Sequence, residues 1–242
     1  MIELVILGST VGVLSGFFGI GGGTILVPFL LFLGYDIKTA ISISVVQMVY
    51  SSVYGSYLNN KKGSLDLSMT VVVGLGGSLG ALLSGYITSN VSDQVLELIF
   101  LSFAIFALLR LFFKTKEYRE QIKLNPVLLF LIGFSLGVVS MTIGVGGSII
   151  LVPILVGFLH VPLKKAISAG LFFVVFSSVA GMISHIAMND VKIFEGSIIG
   201  FSSLFGVYLG IYFKDKVNEL LQKRLLMIFY FLVVLYLISR MI

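Results

Sequence analysis

The sequence predicts an all-α integral membrane protein of two inverted-topology repeats, with about 8–10 transmembrane or membrane-embedded helices and some segments broken by glycine and proline. Three observations carry that expectation. The 242 residues are 58% hydrophobic and 11% charged, with a mean hydropathy of +1.12, whereas soluble domains carry about 25% charged residues. The charges cluster, so that 4–35, 39–60, 67–92, 124–159, 166–189 and 196–213 contain no Asp, Glu, Lys or Arg. A glycine-rich phrase also occurs twice, 125 residues apart.

The uncharged stretches fix the element type. A membrane helix needs about 20 apolar residues, and strand-like alternation is absent, so these are helices rather than barrel strands. The segments 95–113 and 225–238 also read as spans. The chain has no cysteine and no tryptophan. Disulfides, thiolate metal sites and cysteine nucleophiles are therefore excluded, and any aromatic belt rests on Tyr and Phe. The net charge of +5 reads as cytoplasmic loops, not nucleic-acid binding. Met1-Ile2-Glu3 lacks a positive n-region, so the first apolar run reads as a retained helix.

The repeat sets the order of elements. "GVLSGFFGIGGGTILVPFL" begins at Gly12 and "GVVSMTIGVGGSIILVPIL" at Gly137. After one inserted residue, "KTAIS" at Lys38 aligns with "KKAIS" at Lys164, Ser51-Ser52 with Ser177-Ser178, and Gly55, Gly74 and Gly80 with Gly181, Gly200 and Gly206. Glycines and a proline in one order indicate duplication. Repeat 1 is 1–113, a cytoplasmic linker is 114–125, and repeat 2 is 126–242. Each half opens with an apolar segment (4–18, 126–143), a glycine break and a short segment (24–34, 149–159). Helices follow near 38–58, 67–88 and 95–113, and near 164–186, 194–213 and 223–240. As one helix, 4–35 would be roughly 48 Å long, too long for a core of about 30 Å. Two short spans or a re-entrant hairpin both fit.

Loop charges give the parity. If the first two segments enter and return, twelve cations share one side: Lys61, Lys62, Lys114, Lys116, Arg119, Lys123, Lys164, Lys165, Lys214, Lys216, Lys223 and Arg224. Lys38, Lys192 and Arg240 take the other. The positive-inside rule favours this split, which inverts the halves and puts both termini on the non-cytoplasmic side of a cell (inner) membrane.

The breaks carry the chemistry. Glycines free backbone N–H and C=O groups, which in lipid must line a cavity or find partners. Thr24 and Ser148 stand where new helices would start, and Pro28 and Pro153 near the first turn, where a missing N–H costs least. Two helix N-termini at mid-membrane would suit an anion. Close helix packing through small residues is the competing reading; it is favoured for Gly12, Gly16, Gly74 and Gly80, and the broken-helix site for Gly19, Gly21, Gly22, Gly23, Gly144, Gly146 and Gly147. Ser44, Gln47, Ser51 and Ser177 add polar groups from the next helices. Gln47 is open to a ligand role or an interhelical hydrogen bond. His185 is a candidate for ion coupling, against an ordinary hydrogen bond. No metal site and no cofactor is expected. The predicted cores hold no Asp or Glu, which argues against a carboxylate proton relay or sodium site.

At "GFFGIGGGTILVPFL" and "GVGGSIILVPIL", with "AIS" in each following helix, the sequence resembles the sulfite exporter TauE/SafE family of membrane permeases over nearly its whole length. The resemblance implies an inner-membrane permease, usually an exporter, for sulfite, an organosulfonate or a related sulfur-containing or organic acid. It also implies a site at 19–24 and 144–148 with polar groups from 42–52 and 168–178. Ser148 replaces Gly23 and Ile149 replaces Thr24, so the half-sites differ. The expected partners are a small anionic substrate and the lipid bilayer, with no nucleic acid and with homo-oligomerisation left open. The competing readings are an anion channel and a non-transporting membrane scaffold. An enzyme is not expected, because the core offers no nucleophile–base pair.

Overall fold

A computed structural model describes residues 1–18, 21–61, 67–112, 125–188, 191–214 and 216–241. The described residues form helices α1 (Ile2–Phe18), α2 (Gly23–Phe32), α3 (Ile37–Lys61), α4 (Leu67–Ala81), α5 (Ser84–Asn90) and α6 (Asp93–Phe112) in the first half. The second half has α7 (Pro126–Thr142), α8 (Ser148–Gly157), α9 (Leu163–Met188), α10 (Ile193–Lys214) and α11 (Glu219–Met241). Five stretches are long and apolar enough to cross a membrane: Met69–Asn90, Asp93–Phe112, Lys165–Met188, Ile193–Phe213 and Leu220–Met241. With 25 residues, α3 is long enough as well.

The halves interlock rather than stand side by side. Helix α1 packs on α10 and α7 on α4, while α3 and α9 meet at the centre and α6 meets α11. Small residues make these approaches possible, because lipid gives helices little hydrophobic reason to associate. A Cβ on Gly12 would overlap Ser203, and one on Gly16 the backbone of Val207. Gly133 and Gly137 meet the backbone of Val73 and Gly77 in the same way. In both pairs the residue numbers rise together, so α1 runs parallel to α10 and α7 to α4. Between α3 and α9 the order reverses: Gly55 meets Leu171, whereas Met48 and Val174 meet at Gly146. Two antiparallel helices exchanged by a twofold axis have that axis lying across them. In a bilayer it lies in the membrane plane, the inverted arrangement.

Ion pairs mark one end of the bundle. Lys38 Nζ lies 3.6 Å from Asp93 and donates to the Ser89 carbonyl at 3.2 Å. Arg240 pairs with Glu97 at 3.0 Å and donates to the Leu31 carbonyl at 2.8 Å. Two of the three cations assigned to the sparse side are thus paired there. The chain directions carry the ends of α3 and α10 and the start of α9, with Lys61, Lys164, Lys165 and Lys214, to the opposite end.

The fold departs from the sequence expectation in three places. The fourth helix of repeat 1 is broken at Leu82–Leu83, although its counterpart α10 is continuous. Ser184 of α9 bridges the break: its hydroxyl donates to Leu82 O at 2.5 Å and accepts from Gly85 N at 3.0 Å. A side chain inserted into the helical ladder is a recognised source of kinks. Pro28 and Pro153 do not sit in the first turn; each is the sixth residue of its helix. Thr24 does not cap α2. The helices begin earlier, on glycine backbone: Leu26 N donates to Gly22 O at 2.9 Å and Leu151 N to Gly147 O at 3.0 Å. Thr24 Oγ1 instead donates to Gly21 O at 3.0 Å.

Candidate functional site

The two glycine breaks touch each other. A Cβ on Gly23 would overlap the carbonyl oxygen of Gly144, and the Ser44 hydroxyl donates to that same oxygen at 2.8 Å. Gly22 lies against the Gln47 side chain, and Gln47 is the eleventh residue of the 25-residue α3. Helix α2 therefore starts near the middle of the bundle and climbs back beside α3. Its ten residues cover about 15 Å, half of a 30 Å core. The α1–α2 pair is a re-entrant hairpin, and the equivalent contact between Gly147 and Phe173 of α9 starts α8 at the corresponding depth in the second half.

The glycines divide by what they face. Gly21, Gly144 and Gly147 have φ values of +83°, +68° and +63°, a backbone region that side chains disfavour. Gly22, Gly23 and Gly147 also allow close approach: Gly23 has Met48 Sδ at 2.6 Å, and Gly147 has Phe173 and Ser140 at 2.9 Å from a virtual Cβ. Gly146 is less tight, with Val174 at 3.1 Å. Gly21 alone among these faces space, since its nearest neighbour is Ser148 Oγ at 3.9 Å.

That space is a cavity of about 80 Å³, lined by Ser15, Gly16, Gly21, Ser51, Ser52 and Gly55 of repeat 1 and by Ile167, Leu171, Val174, Val207 and Ile211 of repeat 2. One water needs roughly 10–15 Å³ of such space, so several waters or a small oxyanion fit. No lining residue is charged. The lining comes from the later turns of α1, α3 and α10 and the early turns of α9. This is the half of the bundle nearer the lysine-bearing end.

The remaining candidate residues take different places. Gln47 is fully buried beside Gly22, and its Nε2 donates to Ser203 Oγ at 3.2 Å. Ser44 links the two breaks. Ser148 is the first residue of α8, near Gly21. Ser177 is buried and donates to the Phe173 carbonyl at 3.0 Å within its own helix. His185 is buried, 3.3 Å from the Met141 carbonyl, and lies outside the cavity lining. Gly19 lies outside the described residues. Among the described residues, no group of three or more His, Asp or Glu could hold a metal ion.

Sequence reasoning missed Ser15, Ser203, Phe173 and Met141. The repeat alignment holds the signal. At the 126-residue offset, Gln47 and Ser203 correspond to Phe173 and Gly77, and at 125 Gly16 corresponds to Met141. The structure brings these counterparts together in pairs. Phe173 packs on Gly77 as Gln47 bonds Ser203. The Met141 side chain packs on Gly181, 3.1–3.3 Å from where a Cβ there would stand, whereas Gly16 and Gly55 line the open cavity in repeat 1.

Interlocked inverted repeats, paired re-entrant helices and a neutral cavity at the break define a polytopic membrane protein of the transporter class. The chain belongs to the TauE/SafE sulfite exporter family, whose model matches residues 4–237. It is 27% identical over 217 residues to a probable membrane transporter protein of Methanocaldococcus jannaschii, covering 83% of this chain and 77% of that one. It is 26% identical over 220 residues to the probable membrane transporter protein YdhB of Bacillus subtilis, covering 88% of each. With YunE of the same organism it shares 23% identity over 246 residues and 89% coverage of each chain. No solved structure matches the chain.

Proposed function

We propose that the protein exports a small anion across the cell (inner) membrane, with sulfite or an organosulfonate as the first candidates, and that it does so without catalysing a reaction. The observation that carries this reading is the cavity at Gly21. It joins a helix break at mid-depth to the hydroxyls of Ser15, Ser51 and Ser52, with no acidic side chain to repel an anion. Neutral donors and helix dipoles hold an anion while leaving its release easy. The family's name supports sulfur oxyanions. The positive-inside rule makes the lysine-rich end cytoplasmic, which leaves both termini outside and the cavity in the cytoplasmic half, as loading for export requires. Gln47 covers Gly22, Ser44 bonds the Gly144 carbonyl beside Gly23 and Ser148 lies nearest Gly21, whereas Ser177 and His185 lie outside the cavity lining.

Counterflow in proteoliposomes tests the reading. Preloaded sulfite should accelerate uptake of labelled sulfite, and flux should saturate. Saturation without trans-stimulation would indicate a channel. No flux of sulfite, sulfoacetate or taurine, and no thermal stabilisation by any of them, would leave the scaffold reading.

A further inference from the structure

Both breaks start a ten-residue helix on a glycine carbonyl, but the glycine is left-handed only in repeat 2 (Gly147 φ +63°, Gly22 φ −66°), and what covers it differs in a way that bears on the ligand. In repeat 2, Gly147 is covered by the Phe173 ring and by Ser140, whose buried hydroxyl offers a proton as well as an acceptor. In repeat 1 the corresponding glycine, Gly22, is covered by the Gln47 amide. The amide's orientation is fixed by its neighbour. Ser203 donates its single hydroxyl proton to the Gly200 carbonyl at 2.7 Å, so its oxygen can only accept, and it accepts from Gln47 Nε2 at 3.2 Å. Gln47 Oε1 is thereby turned away from Ser203. It is buried and has no hydrogen-bond partner among the described residues.

An unmet carbonyl oxygen in a membrane core is costly, and here it stands at the start of a ten-residue helix, against Gly22, the chain neighbour of the cavity-lining Gly21. An anion alone does not satisfy it, because an anion offers acceptors. A group carrying both an anionic oxygen and a donor does. The anionic oxygens take the break's N–H groups and the second Nε2 proton, and the donor takes Oε1. Charge points the same way. No lining side chain is cationic, and the cost of desolvating an ion scales with the square of its charge, about fourfold more for a dianion than for a monoanion.

We propose that Gln47 sets specificity for a singly charged anion bearing its own hydrogen-bond donor, such as hydrogen sulfite or a hydroxyl- or amine-bearing sulfonate. This rests on the anion-transport reading above and deepens it.

The test uses three probes at one neutral pH on the purified full-length protein, by thermal shift and by competition with labelled substrate flux. Ethanesulfonate is a monoanion without a donor, isethionate is its hydroxyl-bearing analogue, and sulfoacetate is a dianion. Isethionate should bind about 10-fold more tightly than ethanesulfonate, the worth of one good hydrogen bond to a buried acceptor, and sulfoacetate should bind most weakly. Gln47→Met removes both amide functions at similar volume and should bring the isethionate-to-ethanesulfonate ratio to about one while ethanesulfonate still binds. Equal wild-type affinity for the first two probes, or tightest binding of the dianion, overturns the inference and leaves anion transport standing. A preference that survives in Gln47→Met overturns the assignment to Gln47. Binding by none of the three, together with no sulfite flux, removes the transport reading itself. The wild-type comparison decides the inference even if the variant fails to fold.

Discussion

Repeat 1 and repeat 2 start equivalent short helices on equivalent glycines and build two different interiors. Around the first break stand Gln47, Ser203, Gly16 and Gly55, and the result is an open, hydroxyl-lined cavity. Around the second stand Phe173, Gly77, Met141 and Gly181, with the Ser140 hydroxyl beside Gly147, and the large Met141 side chain packs where repeat 1 has a glycine. Duplication supplies the paired helix starts, and divergence decides which side of the midplane holds space. This packing also coincides with the broken helix. Met141 occupies the position at which Gly16 lets α1 lie against an unbroken α10, and opposite it the chain of α4 stops at Ala81 and restarts at Ser84. Hydrogen bonds close that half: Thr88 donates to the Thr142 carbonyl at 3.1 Å, and Ser184 bridges Leu82 and Gly85.

Making repeat 1 resemble repeat 2 should give the largest effect. The double variant Gln47→Phe with Ser203→Gly places the second repeat's ring-on-glycine pair at the first break. Anion affinity should fall roughly 100-fold through loss of the amide and its partner at a charged ligand. Membrane insertion and elution profile should be unchanged. A variant that folds and transports normally would show the amide to be a packing device.

Opening the packed side is the converse change. Met141→Ala leaves a void against Gly181, with an expected loss of roughly 2 kcal/mol from removal of packed core volume, read as a lower melting temperature in detergent. The void should also let anions pass without trans-stimulation. A variant as stable and as tightly coupled as wild type would mean that Met141 does not hold the closed half. Ser184→Ala should cost somewhat less, about 1.5 kcal/mol, because it leaves the buried Gly85 amide, and the part-buried Leu82 carbonyl, without their partner. A melting temperature within error of wild type would mean that the Ser184 bridge does not hold the α4–α5 break.

What the sequence made legible follows from what repeats within it. Glycines and prolines recur at fixed offsets, so the helix order, the inversion and the depth of the breaks could be read from Gly12 onward. Gly12, Gly16, Gly74 and Gly80 pack closely, as small residues at such positions should. Cross-chain relations were less legible. Nothing local to Ser184 says that it will enter a ladder some 100 residues away. Pro28 and Pro153 misled because their helices begin on glycine carbonyls, a start that carries no side-chain signature. The functional asymmetry was present in the alignment, but only at positions where the repeats disagree. Gln47 opposite Phe173 and Gly16 opposite Met141 gain meaning once contacts show that each faces its break or its cavity.

The smallest expected effect lies at the entry to the central helices. Asp36 caps α3 by accepting from Thr39 N at 2.9 Å, whereas the matching position before α9 is Pro162, which has no side-chain acceptor. Partial burial pushes the Asp36 carboxyl up, but hydrogen bonds from Thr39 and neighbouring backbone outweigh it, and its pKa falls below the ordinary 3.8. A lowered carboxylate pKa stabilises the fold above its unfolded value, and that contribution disappears as pH falls through the folded value. Wild type should therefore lose this part of its stability only in acid, below the ordinary carboxylate range. Asp36→Ala should lose about 1 kcal/mol at neutral pH. Asp36→Asn keeps a competent cap without a titrating group, so its melting temperature should match wild type at neutral pH and fall less than wild type on acidification. If Asn and Asp fall equally in acid, the acid-sensitive element is not the α3 cap.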